Sequence, residues 1–342
     1  MSIAEEYFVD LLNNNDNLVR RLSSTTQGSI SMNVNKPIRS GGKLRVLGEE
    51  DINWQNHRVQ IWHRRLDEDP WSMGVYLVSA PGYTNGEGAT DRTIELHDKT
   101  KILDDDKIEE SLSLAAGAIV TAEIEELILS TGEPKMSITE SSHMIGSTQT
   151  WKAGTTKLRI INDLLDYINY FSIWVDGEGV FRGEPYSRPS ARPLVRTFQR
   201  GKDSLHMNDW TREQDVDSVP NKVVVLVESD GDEEGLRGVA ENNNPESPYS
   251  FVNVGRWIVE VEDGVEAADE AAADAIAMRR LISLSSPSAT ISIRHAVLPM
   301  RMNDVVRVVS GSIDTTAVVE RMDFKLTPGS LCKAVWREVM SL

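Results

Sequence analysis

Short runs in which apolar and polar residues alternate, each closed by Gly, Pro, Asn or Asp, fill the stretch from Gly28 to about Thr100. Ser29-Ile30-Ser31-Met32-Asn33-Val34 alternates strictly, and Lys43-Leu44-Arg45-Val46 does so after the turn Ser40-Gly41-Gly42. Arg58-Val59-Gln60-Ile61-Trp62, Trp71 through Val78 and Arg92-Thr93-Ile94-Glu95-Leu96 follow. A period of two places the apolar side chains on one face of a strand. Strands of this length at this spacing fit a small barrel or sandwich.

A second β section opens at Pro220. Val223-Val224-Val225-Leu226-Val227 is a continuous apolar run, as in a strand covered on both faces. Thr290-Ile291-Ser292-Ile293 and Val305-Val306-Arg307-Val308-Val309 come later. Ala317 to Phe324 and Leu331 to Val339 close the chain, joined at Thr327-Pro328-Gly329-Ser330. Within this section, Glu266 to Ser283 is alanine-rich. Ala268, Ala271, Ala275, Met278 and Ile282 recur at helical spacing, and small residues let such a helix lie close against a sheet.

Between the two sections the pattern is mixed. Val120, Ile124, Leu127 and Ile128 form a helical stripe that stops at Gly132. Thr155 or Thr156 can cap a second helix whose stripe is Leu158, Ile161, Leu165 and Ile168. Phe171 to Val175, the turn Asp176-Gly177-Glu178-Gly179 and Val180-Phe181-Arg182 read as a hairpin. Pro185 to Pro193 is an extended connector. At the start, Phe8, Leu11, Leu12 and Leu18 lie near helical spacing, interrupted by Asn13-Asn14-Asn15, so the first 22 residues read as a short amphipathic docking helix. The expected division is an arm at 1–26, a β domain at 27–104, a mixed helix and hairpin domain at 105–217, and a second β domain with a packed helix at 218–342.

Asp and Glu total 53 against 36 Lys and Arg, a formal net charge of −17. Affinity for nucleic acid grows as Lys and Arg neutralise phosphates. Sequence-specific nucleic-acid binding and an anionic membrane surface are therefore both disfavoured. His63-Arg64-Arg65 reads as a solvated face or a salt-bridge set. Hydrophobic residues make up 40% and charged residues 26%, so disorder is expected only in local acidic loops. No apolar stretch approaches the roughly 18 residues of a membrane span. Residues 1–12 carry Glu5, Glu6 and Asp10 and lack the basic-then-apolar order of a secretory signal. Synthesis in the cytoplasm is the expectation, and later assembly into a large particle is compatible with it.

The residues that could carry chemistry do not group. Cys332 is the single cysteine, so no intrachain disulfide or cysteine-based zinc site can form, and its alternating surroundings suit a buried core thiol. His57, His63, His97, His143, His206 and His295 show no zinc-protease spacing. His97-Asp98 could be half of a triad, but no nucleophile-elbow serine accompanies it. Asp104-Asp105-Asp106 and Asp230-Gly231-Asp232-Glu233-Glu234 lack the ligand order of an EF-hand and read as solvated acidic loops. The Gly-rich stretches at 176–179 and 82–88 match neither a phosphate loop nor a dinucleotide fingerprint and read as turns. Eight tryptophans suit core packing first and an interface second. No catalytic, cofactor-binding or metal-binding residue is assigned, and the chain is expected not to be an enzyme.

One set of segments goes beyond pattern. Trp151-Lys152-Ala153-Gly154-Thr155-Thr156-Lys157-Leu158-Arg159-Ile160-Ile161-Asn162-Asp163-Leu164-Leu165 and Ile168-Asn169-Tyr170-Phe171-Ser172-Ile173-Trp174 resemble minor tail proteins of long-tailed phages that infect actinobacteria. So do Gly183-Glu184-Pro185-Tyr186, Val219-Pro220-Asn221-Lys222-Val223-Val224-Val225 and Gly255-Arg256-Trp257-Ile258-Val259. His97-Asp98-Lys99-Thr100-Lys101-Ile102-Leu103 and Leu326-Thr327-Pro328-Gly329 fit as well, so the resemblance runs from about Gly41 to the end. It implies a tail-tip or baseplate hub, a homotrimer at the end of the tail tube. It also implies a mostly β, α+β fold in which two tail-tube-like β-barrel domains flank a mixed α/β domain. The implied partners are distal tail and tail-tube proteins, the tape measure protein, and tip or fibre proteins, with residence in the virion. Many such proteins carry a C-terminal wall-degrading or fibre region. This sequence ends directly after its last expected strand, so that activity is not expected here. A receptor- or glycan-binding tail protein and a tail-associated peptidoglycan hydrolase are the alternatives.

Overall fold

The computed structural model describes residues 5–23, 25–47, 52–65, 68–79, 83–86, 89–213, 219–227, 236–265, 267–284, 289–311 and 313–339. Strands hold 45% of the residues and helices 17%, so the chain is mostly β as expected. The first part contributes β1 (Glu5–Leu12), β2 (Leu18–Leu22), β3 (Thr25–Asn33), β4 (Ser40–Leu47), β5 (Arg58–Arg65), β6 (Trp71–Val78), β7 (Tyr83–Gly86) and β8 (Ala89–Asp98). The middle holds α1 (Thr100–Asp105), β9 (Leu112–Leu114), α2 (Val120–Leu129), β10 (Met136–Ile138), β11 (Gln149–Trp151), α3 (Lys157–Tyr167), β12 (Trp174–Val175) and β13 (Phe181–Gly183). Then come β14 (Leu194–Gln199), β15 (Thr211–Glu213), β16 (Lys222–Val227), β17 (Arg237–Glu241), α4 (Phe251–Val254), β18 (Val259–Val265) and α5 (Glu270–Leu284). The last strands are β19 (Thr290–His295), β20 (Val305–Ser310), β21 (Ile313–Lys325) and β22 (Cys332–Glu338).

The two β sections share one 14-stranded sheet, in the order β15-β19-β22-β21-β3-β4-β8-β6-β5-β1-β2, with β20 beside β21, β14 beside β20 and β7 beside β8. They are spliced where β3 pairs with β21, Ile30 facing Phe324 and Met32 facing Met322. Its end strands, β15 and β2, do not pair with each other, so no closed barrel forms among the described residues. This corrects the expected pair of tail-tube-like barrels. Alternation reveals which face of a strand is buried and says nothing of its partner. A single hydrophobic cluster accordingly runs from Val9 in β1 to Trp336 in β22.

The helix expected over the first 22 residues is instead the hairpin β1–β2. Tyr7, Val9 and Leu11 alternate as well, so the segment satisfies both periods. Eight paired positions along β5 decide in favour of the strand. Cross-strand ion pairs Glu6–Arg64 and Asp10–Arg21 fix its register. The interruption at Asn13-Asn14-Asn15 is the hairpin turn. The Asn13 side chain accepts the N–H of Asn15 and of Asn17, and Asp16 sits at φ 59°.

The middle segment packs a second cluster around α2 and α3. Val120, Ile124 and Ile128 are buried, and Gly132 closes that stretch at φ 84°. Thr156 caps α3, its hydroxyl accepting the Arg159 N–H at 3.2 Å. The expected hairpin is present as β12–β13, and β10 adds to β13 in parallel.

Between β15 and β19 the chain builds a third unit, in which α5 packs on β16 and β17. The small residues of the helix allow the expected close approach, but the packed face is Ala272, Ala273, Ile276, Ala277 and Leu281. Of the expected stripe, Ala271 is exposed and Ala275 and Met278 are half-buried. A Cβ at Gly238 would lie 2.2 Å from the Ala273 carbonyl. The run Val223–Val227, expected to be covered on both faces, is covered on one. Val223 and Val225 lie under α5, while Leu226, Val259 and Val261 on the open side are 37%, 46% and 55% exposed. The segment 218–342 therefore divides between this α/β unit and the last strands of the large sheet. The acidic loop at 228–234 and the glycines at 82 and 88 lie outside the described residues.

Candidate functional site

The middle segment is held to the large sheet by a buried ion cluster drawn from four places in the chain. The ammonium of Lys99, at the end of β8, donates to Asp16 Oδ2 at 2.8 Å and to the Gly179 carbonyl at 2.9 Å, and pairs with Glu133 Oε2 at 2.7 Å. All three of its protons thus have an acceptor. Arg58 of β5 reaches Asp16 Oδ1 at 2.6 Å and also pairs with Glu133. Burial alone would raise the Asp16 carboxyl, and Lys99 and Arg58 outweigh it, holding the group below its ordinary value. Lys135 adds a third cation, 3.5 Å from Asp16. No sequence pattern marks this cluster, because its members are brought together only by the fold.

Beside the cluster lies a cavity of about 400 Å³. Three parts of the chain wall it: the hairpin β5–β6 with the start of β4, the hairpin β12–β13, and the segment 299–303 before β20. The turn Asp176-Gly177-Glu178-Gly179 forms one wall. It is held by Ser72 Oγ–H, which donates to the Gly177 carbonyl, and by Gln60, which donates to the same carbonyl at 3.2 Å. Within the turn, the Asp176 carboxylate accepts the N–H groups of Glu178 and Val180 at 2.9 and 3.0 Å and pairs with Arg182 at 2.7 Å. Trp62, Trp71 and Trp174 line the cavity. The Trp71 Nε1–H donates to His63 Nδ1 at 3.0 Å, Trp62 stacks on Phe8, and Arg301 lies 6.0 Å from the Trp174 ring centre. Asp98 contributes a fully tied carboxyl that accepts from the Ser40 and Thr100 N–H groups and the Thr100 hydroxyl. Burial raises the Asp98 carboxyl despite these bonds, and burial lowers the Arg39 guanidinium beside it. By contrast, the charged ends of Arg39 and Glu184 have no hydrogen bond among the described residues.

The residues singled out by sequence disperse over the fold. His97 and Asp98 do not form a catalytic pair, because Asp98 is consumed in the turn into α1. Asp105 pairs with Lys101 and Asp106 with Lys157, so that acidic run is part of a salt-bridged surface. His143 meets Ser141 at the surface, and His57 accepts the Asn53 N–H. His206 and His295 both pack on Phe198 in the core. Cys332 is buried, and burial pushes its thiol up. Among the described residues no group of three His, Cys, Asp or Glu side chains could hold a metal ion. No helix there is long and apolar enough to cross a membrane. Of the tryptophans, Trp336 is core, Trp151 bonds to Asp163, and Trp257 stacks on Phe251 at the surface.

No protein-family model matches the chain, and no curated protein is similar to it in sequence. Solved structures do match its fold. A tail protein from Neisseria meningitidis MC58 shares 13% identity at a TM-score of 0.69, the match covering 97% of each chain. The 43 kDa tail protein of prophage MuSo2 from Shewanella oneidensis shares 12% identity at a TM-score of 0.66, over 97% of this chain and 98% of that one. The E. coli c3393 protein is a component of the type VI secretion system with structural similarity to the T4 bacteriophage tail proteins gp27 and gp5. It shares 7% identity at a TM-score of 0.54, over 94% of this chain and 75% of that one. At these identities the likeness is one of fold, and it runs nearly end to end: the chain has the fold of these tail proteins.

Proposed function

We propose that this chain is a structural, non-enzymatic virion protein. In this reading it is a tail-tip or baseplate hub of a long-tailed phage, and the sequence resemblance points to a phage of actinobacteria. The observation that carries the reading is the end-to-end likeness to the tail protein from Neisseria meningitidis MC58, 97% of each chain at a TM-score of 0.69. The hub is a homotrimer made in the host cytoplasm. It joins the tail tube, with its distal tail and tape measure proteins, to the tip or fibre proteins below.

Two physical features support the assembly reading. The open face of β16–β18 leaves Val259 and Val261 about half exposed, which a buried protein contact would relieve. A net charge of −17 suits a wall along which DNA must slide without sticking. Electron cryomicroscopy of the virion tests the reading: three copies on the tail axis at the tip are expected, and a position off the axis or another copy number sinks it. The mass of the purified chain in solution is a second test, and a stable trimer is the expected outcome.

A further inference from the structure

The cavity between β5–β6, β12–β13 and the segment before β20 has no part in the assembly reading. Its volume of about 400 Å³ lies at the small end of the range for small-molecule sites, roughly 300–1,000 Å³. Its walls combine two kinds of surface. Trp62, Trp71 and Trp174 supply flat apolar rings, each with one contact already set by the protein through Phe8, His63 and Arg301. Arg39 and Glu184 supply a donor and an acceptor whose charged ends carry no hydrogen bond among the described residues, and among those residues the Glu178 carboxylate is met only by a 3.3 Å contact from Gln60.

Charge decides which ligand suits this mixture. A polyanion would meet the carboxylates of Glu178 and Glu184 with Asp176 behind them. A cation would meet Arg39 and Arg301 on the same lining. A ligand with flat C–H faces, many hydroxyls that both donate and accept, and no net charge satisfies both surfaces. We propose that this cavity is a binding site for a neutral saccharide of one or two rings, stacked on Trp174 and hydrogen-bonded by Arg39 and Glu184. The lining of this cavity carries the proposal, which does not draw on the trimer or on the position on the tail.

The test is titration of the full chain with maltose, cellobiose and N,N′-diacetylchitobiose, read by calorimetry and tryptophan fluorescence. Digalacturonate and the deacetylated, cationic chitobiose serve as charged comparisons. Saturable binding of at least one neutral disaccharide is expected, with affinity falling about tenfold or more in Trp174→Ala. Glu184→Gln, a change of shape-conserving kind at an exposed residue, should weaken binding without altering the melting temperature. Trp257→Ala, on the surface beside α4, should leave it unchanged. The proposal is overturned if no neutral disaccharide binds saturably, if a charged comparison binds better than all three, or if Trp174→Ala and Glu184→Gln both leave affinity intact.

Discussion

Packed against Phe198 and Trp336, the His295 ring donates its Nδ1–H to the Ala296 carbonyl at 2.6 Å, and its Nε2 meets no partner among the described residues. A proton on Nε2 would be a buried, unpaired charge, so burial pulls the group from 6.5 down to about 4. Below pH 6.5 the unfolded chain takes up a proton that the folded chain refuses until about pH 4. This contribution to stability is therefore present above pH 6.5 and lost as pH falls through that window, by about 3 kcal/mol in full. Burial lowers His63 and His206 in the same direction. Urea midpoints measured from pH 7 to pH 4.5 should fall steadily, and His295→Leu should flatten the slope whatever it does to stability at pH 7. An unchanged slope in that variant would remove His295 from the account. Lys99 makes the opposite case, a charge kept buried by full pairing. Lys99→Met leaves Asp16 and Glu133 short of a cation, and a loss of about 3–5 kcal/mol is expected in urea unfolding at pH 7. A loss near that of a surface pair would mean that water reaches the cluster.

At the scale of elements, what was legible in the sequence was local. The helical stripes of α2 and α3, the cap at Thr156 and the hairpin β12–β13 follow from spacing and turn chemistry within about fifteen residues. So does the presence of the alanine-rich α5, whose packed face is set by Ala272, Ala273, Ile276 and Ala277 and not by the stripe through Ala271 and Ala275. The hairpin β1–β2 was not legible, because Phe8, Leu11 and Leu12 satisfy a helical period as well as Tyr7, Val9 and Leu11 satisfy a strand, and the deciding partner, β5, lies some fifty positions away. The Val223–Val227 run gave its strand correctly, while the number of faces covered within one chain depended on where α5 landed. The cavity was illegible for the same reason: the turn at 176–179 was recognised as a turn, and its role as a wall depends on Ser72 and Gln60. The closeness of α5 to its sheet offers a direct check. Gly238→Val would drive a side chain into the Ala273 backbone, so the helix must lift off β17. A loss of about 1–3 kcal/mol and raised amide exchange confined to α5 and β17 are expected. A neutral effect on both would show that the helix does not sit that close in solution.

For the whole molecule, the decisive contact is between β3 and β21, because it joins the start of the chain to its end. Two independent barrels would each carry a core closed by local strands, and either could fold alone. Here Ile30 and Met32 face Phe324 and Met322, and the cluster that contains Leu44 and Ile94 also contains Ala334 and Trp336. Nearly three hundred residues of intervening chain must be organised before that pairing forms, a loop-closure cost that only the assembled core offsets. A fragment of residues 1–104 would leave the β3 edge unpaired and half of its core uncovered, with Asp16, Arg58 and Lys99 lacking Glu133. The expectation is that this fragment, expressed alone, shows no dispersed amide spectrum and no cooperative thermal transition, whereas the full chain unfolds in a transition that includes both β sections. Adding a peptide of residues 313–339 should not restore order, since β21 and β22 draw their own support from β19 and β20. A well-dispersed spectrum from the isolated fragment would return the first β section to the standing of an independent barrel and make the β3–β21 ladder a contact between finished domains.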